Sequence, residues 1–178
     1  MQRTGGFSLL ELMAVIAIMG ILVSLAIPGF GYLAANTKVK SASTELYLAM
    51  IRARSESVKR NRAVTVTANA AGWQAGWQII VDGNNDGDFA DVAANVDRLV
   101  LNQGALQRVT VNLDDDANAD TAFGAAEDDT SVVFRPTGRI AGAAPFFDVA
   151  SDDDDHPMRR CISTDLTGRP YTKPEVCP

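Results

Sequence analysis

The chain has 178 residues, 47% of them hydrophobic, with a formal net charge of −6 and a sequence pI near 4.7. An acidic chain is a poor binder of phosphate backbones, since that binding rests on lysine and arginine. The single histidine, His156, sits in an acidic run where no nucleophile–histidine–acid set is indicated, and the two cysteines, with no other thiol near, offer no zinc site.

A short polar leader, Met1 to Gly6, runs into Phe7-Ser8-Leu9-Leu10-Glu11-Leu12. From Leu9 to Ile27 the only ionisable side chain is Glu11. That run is long enough to span a bilayer as a helix, which takes about 20 residues. A carboxylate inside it costs roughly 2.5–3.5 kcal/mol at the bilayer centre and less near the interface, so Glu11 is a functional candidate. A local alternative is that Ser8-x-x-Glu11 forms a capping box, with Glu11 serving only its own helix. A secretory signal peptide would need a basic leader and a shorter apolar core.

The helical pattern continues past Pro28, with apolar or small residues at Leu33, Val39, Ala42, Leu46, Ala49, Met50, Ala53 and Val58. This amphipathic spacing predicts one helix from about Ser8 to about Asn61, roughly 80 Å long. Pro28 lacks an amide hydrogen and predicts a kink. Arg52, Arg54, Lys59, Arg60 and Arg62 form a basic helix end, which suits the negative end of the helix dipole.

After Arg62 the pattern turns to short β-rich runs separated by Gly, Asn and Asp. Candidate strands are Ala63–Thr67, Gly76–Val81, Arg98–Leu101, Arg108–Asn112, Ser131–Arg135, Phe146–Val149 and Arg160–Ser163. The expected class is α+β: a long N-terminal helix, membrane-spanning in its first half and kinked near Pro28, packed on one antiparallel sheet by its distal half. The domain boundaries fall at 1–6 for the leader, 7–27 for the transmembrane half, 28–61 for the amphipathic half and 62–178 for the β-sheet domain.

The leader, the Gly6-Phe7 junction, Glu11 and the apolar helix closely resemble the class III signal of type IV pilins and pseudopilins. The resemblance implies cleavage between Gly6 and Phe7 by a prepilin peptidase and methylation of the new Phe7 amine. Glu11 would then compensate the amine of a neighbouring subunit. Behind the signal, four segments are similar to the GspH/FimT/FimU group of minor pilins and pseudopilins. They are Ala53 to Asn61, Gly76 to Asp82, Val133 to Arg139 and Ile162 to Arg169. The group implies assembly rather than catalysis. The expected partners are other pilin or pseudopilin subunits, the peptidase and an inner-membrane assembly platform. The expected location is the inner membrane, single-pass with the N-terminus cytoplasmic and the domain periplasmic, then a type IV pilus or a type II secretion pseudopilus. In an extracytoplasmic domain, Cys161 and Cys177 are expected to pair as a disulfide.

Two further candidates remain. Asp82, Asn84, Asp86 and Asp88 alternate like the first half of a calcium loop, but Ala93 stands where the bidentate glutamate belongs. The same residues suit an Asn/Asp/Gly turn. No other cofactor is indicated. The resemblance also offers a FimT-like, DNA-binding reading, carried by Arg169 and Lys173. There the Gly-Arg-x-Arg motif of such members is altered, because Tyr171 replaces the second arginine, and the negative net charge opposes it.

Overall fold

The computed structural model describes residues 8–92, 96–114, 130–153, 155, 157–174 and 177, with the side chains of 24–30 and 114 outside the described set. Gly6, Phe7 and His156 lie outside it. One helix, α1, runs Leu9–Arg60. Eight strands follow: β1 Val64–Asn69, β2 Gly72–Val81, β3 Arg98–Asn102, β4 Val109–Asp114, β5 Ser131–Phe134, β6 Phe146–Ser151, β7 Arg159–Thr164 and β8 Pro170–Lys173.

The chain forms two compact units, Met1–Ala34 and Ala35–Pro178. The division falls inside α1, so the distal part of the helix belongs to the β domain. In the first unit the Ser8 carbonyl accepts from the amides of Glu11 and Leu12, and the Ser8 hydroxyl accepts from Glu11 at 3.2 Å. Ser8 is therefore the N-cap that satisfies the first free amides. The kink expected at Pro28 falls on 24–30 and lies outside the described side chains; the helical assignment itself runs through Pro28.

In the second unit, α1 buries Ala35, Val39, Ala42, Leu46, Ala49, Met50 and Ala53. These positions recur every three or four residues and so share one helix face. Small alanines alternate with Val39, Leu46 and Met50, which lets the helix lie close to its cover.

That cover differs from the single sheet expected. The strands form two four-stranded antiparallel sheets, in the orders β3-β2-β1-β5 and β4-β6-β7-β8. Each is amphipathic by alternation. Val64, Val66, Trp77, Ile79, Val81, Val132 and Phe134 enter the core from the first sheet. Val109, Val111, Leu113, Phe147, Val149 and Ile162 enter it from the second. Trp73 of β2 meets Phe147 of β6 edge-to-face, with centroids 4.8 Å apart, and so joins the sheets. Aromatic pairs in this geometry add about 0.5–1.5 kcal/mol beyond their burial.

Near its C-terminus α1 carries an ion pair between Glu56 and Arg60, one turn apart. The Arg60 hydrogen bond, foremost, holds the Glu56 carboxyl below its ordinary value. Burial opposes this, less strongly than the hydrogen bond, and the charges of Arg60, Lys59 and Arg52 add to the lowering. A depressed carboxyl stabilises the fold above its ordinary pKa, and that contribution is lost as pH falls through the folded-state value. Glu56→Gln should therefore destabilise the protein modestly at pH 7, by about 0.2–0.5 kcal/mol. The difference from wild type in thermal unfolding should vanish on acidification below the usual carboxylate range.

Candidate assembly site

Three places in the chain hold groups beyond those the fold needs: the apolar start of α1, the loop after β2, and the disulfide-closed tail.

Along Leu9 to Val23 every side chain is exposed, including Leu9, Leu10, Leu12, Ile16, Met19 and Leu22. A helix that is apolar all round is stable in water only when something covers it. Glu11 stands alone on this surface, with no ion-pair partner among the described residues. Its amide uses the Ser8 cap, which forms half of a capping box. Among the described residues no helix is long and apolar enough to cross a membrane.

The loop after β2 is built on two buried carboxylates, Asp82 at 1% exposure and Asp97 at 4%. Asp82 accepts from the amide of Asn85, and from that of Gly87 at 3.0 Å. Asp97 accepts from Gly83 at 2.9 Å and from Asp91 at 3.0 Å. Four amides thus compensate two buried charges, which would otherwise be costly. Asp86 and Asp88 also cap amides, at Asp88 and at Phe89 and Ala90, while Asn84 bonds Asp86. The oxygen pattern read as a calcium half-loop is thereby used on the backbone. Among the described residues no group of three or more His, Cys, Asp or Glu side chains is arranged to hold a metal ion. Sequence reasoning missed Asp97. Its only signal was one acidic residue directly before a strand. Beside this loop, Arg60, Arg62 and Arg98 line an open cleft of about 710 Å³ with Asp82 and Asp97.

Cys161 of β7 and Cys177 are joined in a disulfide, and both are buried. Beside Cys161 in register lies Asp148 of β6, fully buried and paired with Arg159. Arg169 sits in the turn before β8 and Lys173 at its end, where its ammonium lies 5.7 Å from the centre of the Tyr171 ring. β8 itself was missed, and it pairs with β7 from Cys161↔Lys173 to Thr164↔Pro170.

Solved structures share this architecture. The type IV minor pilin FimU of Pseudomonas aeruginosa PAO1 matches in two crystal forms. In space group P21 the TM-score is 0.55 at 17% identity, over 78% of this chain and 90% of that one. In P65 the TM-score is 0.53 at 18% identity, over 76% and 92%. The minor pseudopilin EPSH from the type II secretion system of Vibrio cholerae matches with a TM-score of 0.53 at 10% identity, over 80% and 98%. At such identities the likeness is one of fold, and the fold is that of pilin-like filament subunits. No curated protein matches the chain in sequence. The prokaryotic N-terminal methylation motif matches residues 1–27, and the type II transport protein GspH family matches residues 42–168. The chain belongs to the GspH family. Family and structural neighbours are filament subunits rather than enzymes, and the chain is a membrane-anchored, pilin-class subunit that assembles with others of its kind.

Two outcomes follow from the geometry. Asp82→Ala should lower stability by about 1–3 kcal/mol, the cost of stranding buried amides. The loss should be equal in calcium and in chelator; a loss seen only with calcium would assign the loop to a bound ion. Replacing Cys161 and Cys177 by serine should cost about 3 kcal/mol in reversible unfolding, because the bond closes a loop with a sequence separation of 16. Two free thiols in protein taken from an oxidising compartment would contradict the bond.

Proposed function

We propose that the chain is a minor pilin or pseudopilin whose leader is cut between Gly6 and Phe7 by a prepilin peptidase. The new Phe7 amine is methylated. The subunit waits as a single-pass inner-membrane protein, N-terminus cytoplasmic and β domain periplasmic. An inner-membrane assembly platform then transfers it into a type IV pilus or a type II secretion pseudopilus, where it primes assembly or sits at the tip.

The observation that carries this reading is the surface of α1 from Leu9 to Val23, apolar on every side and broken by one carboxylate. Such a surface needs first a lipid phase and then a bundle of similar helices. In either, an isolated carboxylate is disfavoured unless an opposite charge meets it. The amine of a neighbouring Phe7 would supply that charge and fix the axial register of the two helices. The methylation motif over residues 1–27 and the GspH family support the same reading. A role in DNA uptake is less well supported: the net charge is −6, and Tyr171 stands where the second arginine of the Gly-Arg-x-Arg motif belongs.

Mass spectrometry of the membrane-extracted protein should find a mature chain starting at methylated Phe7. A start near Ile27 would remove the pilin reading. Glu11→Val should leave membrane insertion intact, since it takes a charge out of the apolar run, and should sharply reduce recovery in sheared filaments. Normal recovery would reduce Glu11 to a residue of the helix cap.

A further inference from the structure

Two turns of the β domain are the same turn built twice. Phe134 bridges Ile140 across Arg135-Pro136-Thr137-Gly138-Arg139. Thr164 pairs Pro170 across Asp165-Leu166-Thr167-Gly168-Arg169. In the first, the Arg135 amide donates to the Arg139 carbonyl and the Gly138 amide to the Arg135 carbonyl, both at 2.8 Å. In the second, the Asp165 amide donates to the Arg169 carbonyl at 3.1 Å and the Gly168 amide to the Asp165 carbonyl at 2.8 Å. The glycines take φ of +77° and +80°, the left-handed position of such hairpin loops. Each turn therefore delivers a Thr-Gly-Arg tripeptide in the same conformation.

The two turns touch through their backbones. A Cβ added at Gly168 would lie 2.0 Å from the Gly138 carbonyl oxygen. One added at Gly138 would lie 2.8 Å from Val58 and 3.4 Å from Arg54 of α1. The order is thus helix, first turn, second turn, with Val58 and Arg54 side chains between the helix and the first turn and a direct backbone approach between the two turns. This contact holds Arg139 and Arg169, both exposed, at equivalent points of adjacent turns, with Arg54 on the helix beside the first. None of the three forms an ion pair among the described residues. The nearby Asp165 is occupied by the Thr167 hydroxyl at 2.6 Å and the Arg169 amide at 2.9 Å. Those hydrogen bonds, the hydroxyl first, with a smaller contribution from the Arg169 charge, hold its carboxyl below the usual range. Leu166 in the second turn is 50% exposed, and Tyr171 just after it 44%.

We propose that these paired turns are a docking surface for a carboxylate-rich loop of a neighbouring pilin-class subunit; the proposal rests on the filament reading above. A planar guanidinium matches a carboxylate with two parallel hydrogen bonds, and two guanidinia on a rigid backbone contact fix the orientation as well as the attraction. Arginine and tyrosine are enriched in the cores of protein interfaces. Leu166 has no use against a phosphate backbone, and a polyanion long enough to extend past the patch would meet the repulsion of the net charge of −6. A short acidic loop meets only the patch.

The test uses the full chain in its own cells. Arg139→Ala with Arg169→Ala should leave membrane level and melting temperature at wild-type values, as exposed substitutions do. It should lower recovery in sheared filaments about tenfold or more, the scale of interface arginines. Arg139→Lys with Arg169→Lys should fall between, keeping charge but losing the fork. A photo-crosslinking amino acid at position 139 should capture another filament subunit at an Asp- or Glu-rich segment. Wild-type recovery of the alanine pair, with the wild-type chain in filaments, overturns the docking surface alone. A wild-type chain never found in filaments overturns the filament reading instead. Binding of a 30-base-pair duplex by detergent-solubilised protein, lost in the alanine pair while filament recovery is unchanged, would replace the proposal with a nucleic-acid site.

Discussion

The burial of one face of α1 decides most of this structure. From Ala35 to Ala53 the helix supplies buried residues to a core that both sheets share, so the sheets have a common floor. From Leu9 to Val23 the side chains find no cover among the described residues. A single helix thus has two burial requirements, one met inside the molecule and one that can be met only outside it. The first makes a stable domain. The second makes that domain a component of something larger, because apolar surface on this scale stays in water only at high cost.

The β domain is adapted to hang from such a helix. The sheets meet at Trp73 and Phe147, and they enclose the helix face with aromatic and branched side chains. Charged groups that go inside are neutralised locally, Asp82 and Asp97 by amides and Asp148 by Arg159. The C-terminal tail, short of apolar residues, is tied to β7 by the disulfide. Function then falls to what remains on the surface: the uncovered helix start and the paired Thr-Gly-Arg turns.

Much of this was legible in the sequence where the signal is local. The spacing of Val39, Ala42, Leu46, Ala49 and Ala53 reports one buried helix face, and the helix ends at Arg60, within a residue of the end expected at about Asn61. Seven strands were found to within a few residues, because β-branched runs and Gly/Asn/Asp breaks are local too. The division into two sheets was not legible. Strand order depends on pairings between distant segments, such as β1 with β5, which no local pattern records. β8 was missed because Pro170-Tyr171-Thr172-Lys173 is short, begins with proline and buries no side chain. Asp82 read as a calcium ligand or a turn residue and Asp97 drew no reading, since burial of a carboxylate by backbone amides leaves no mark in composition. The repeat of Thr-Gly-Arg is visible in the chain at 137–139 and 167–169, but only the contact between Gly138 and Gly168 gives it meaning.

The central claim is that the two parts of α1 are buried in different media. Spin labels on single cysteines introduced along the helix in membrane-held protein would test it, by comparing collisional access of oxygen with that of a water-soluble nickel chelate. The account requires high oxygen and low nickel access all round the helix at Leu12, Val15, Ile18 and Leu22. It requires nickel access at Thr44, Leu48 and Ser55, and neither reagent at Leu46 or Ala49. Free nickel access at Val15 and Ile18 would contradict it.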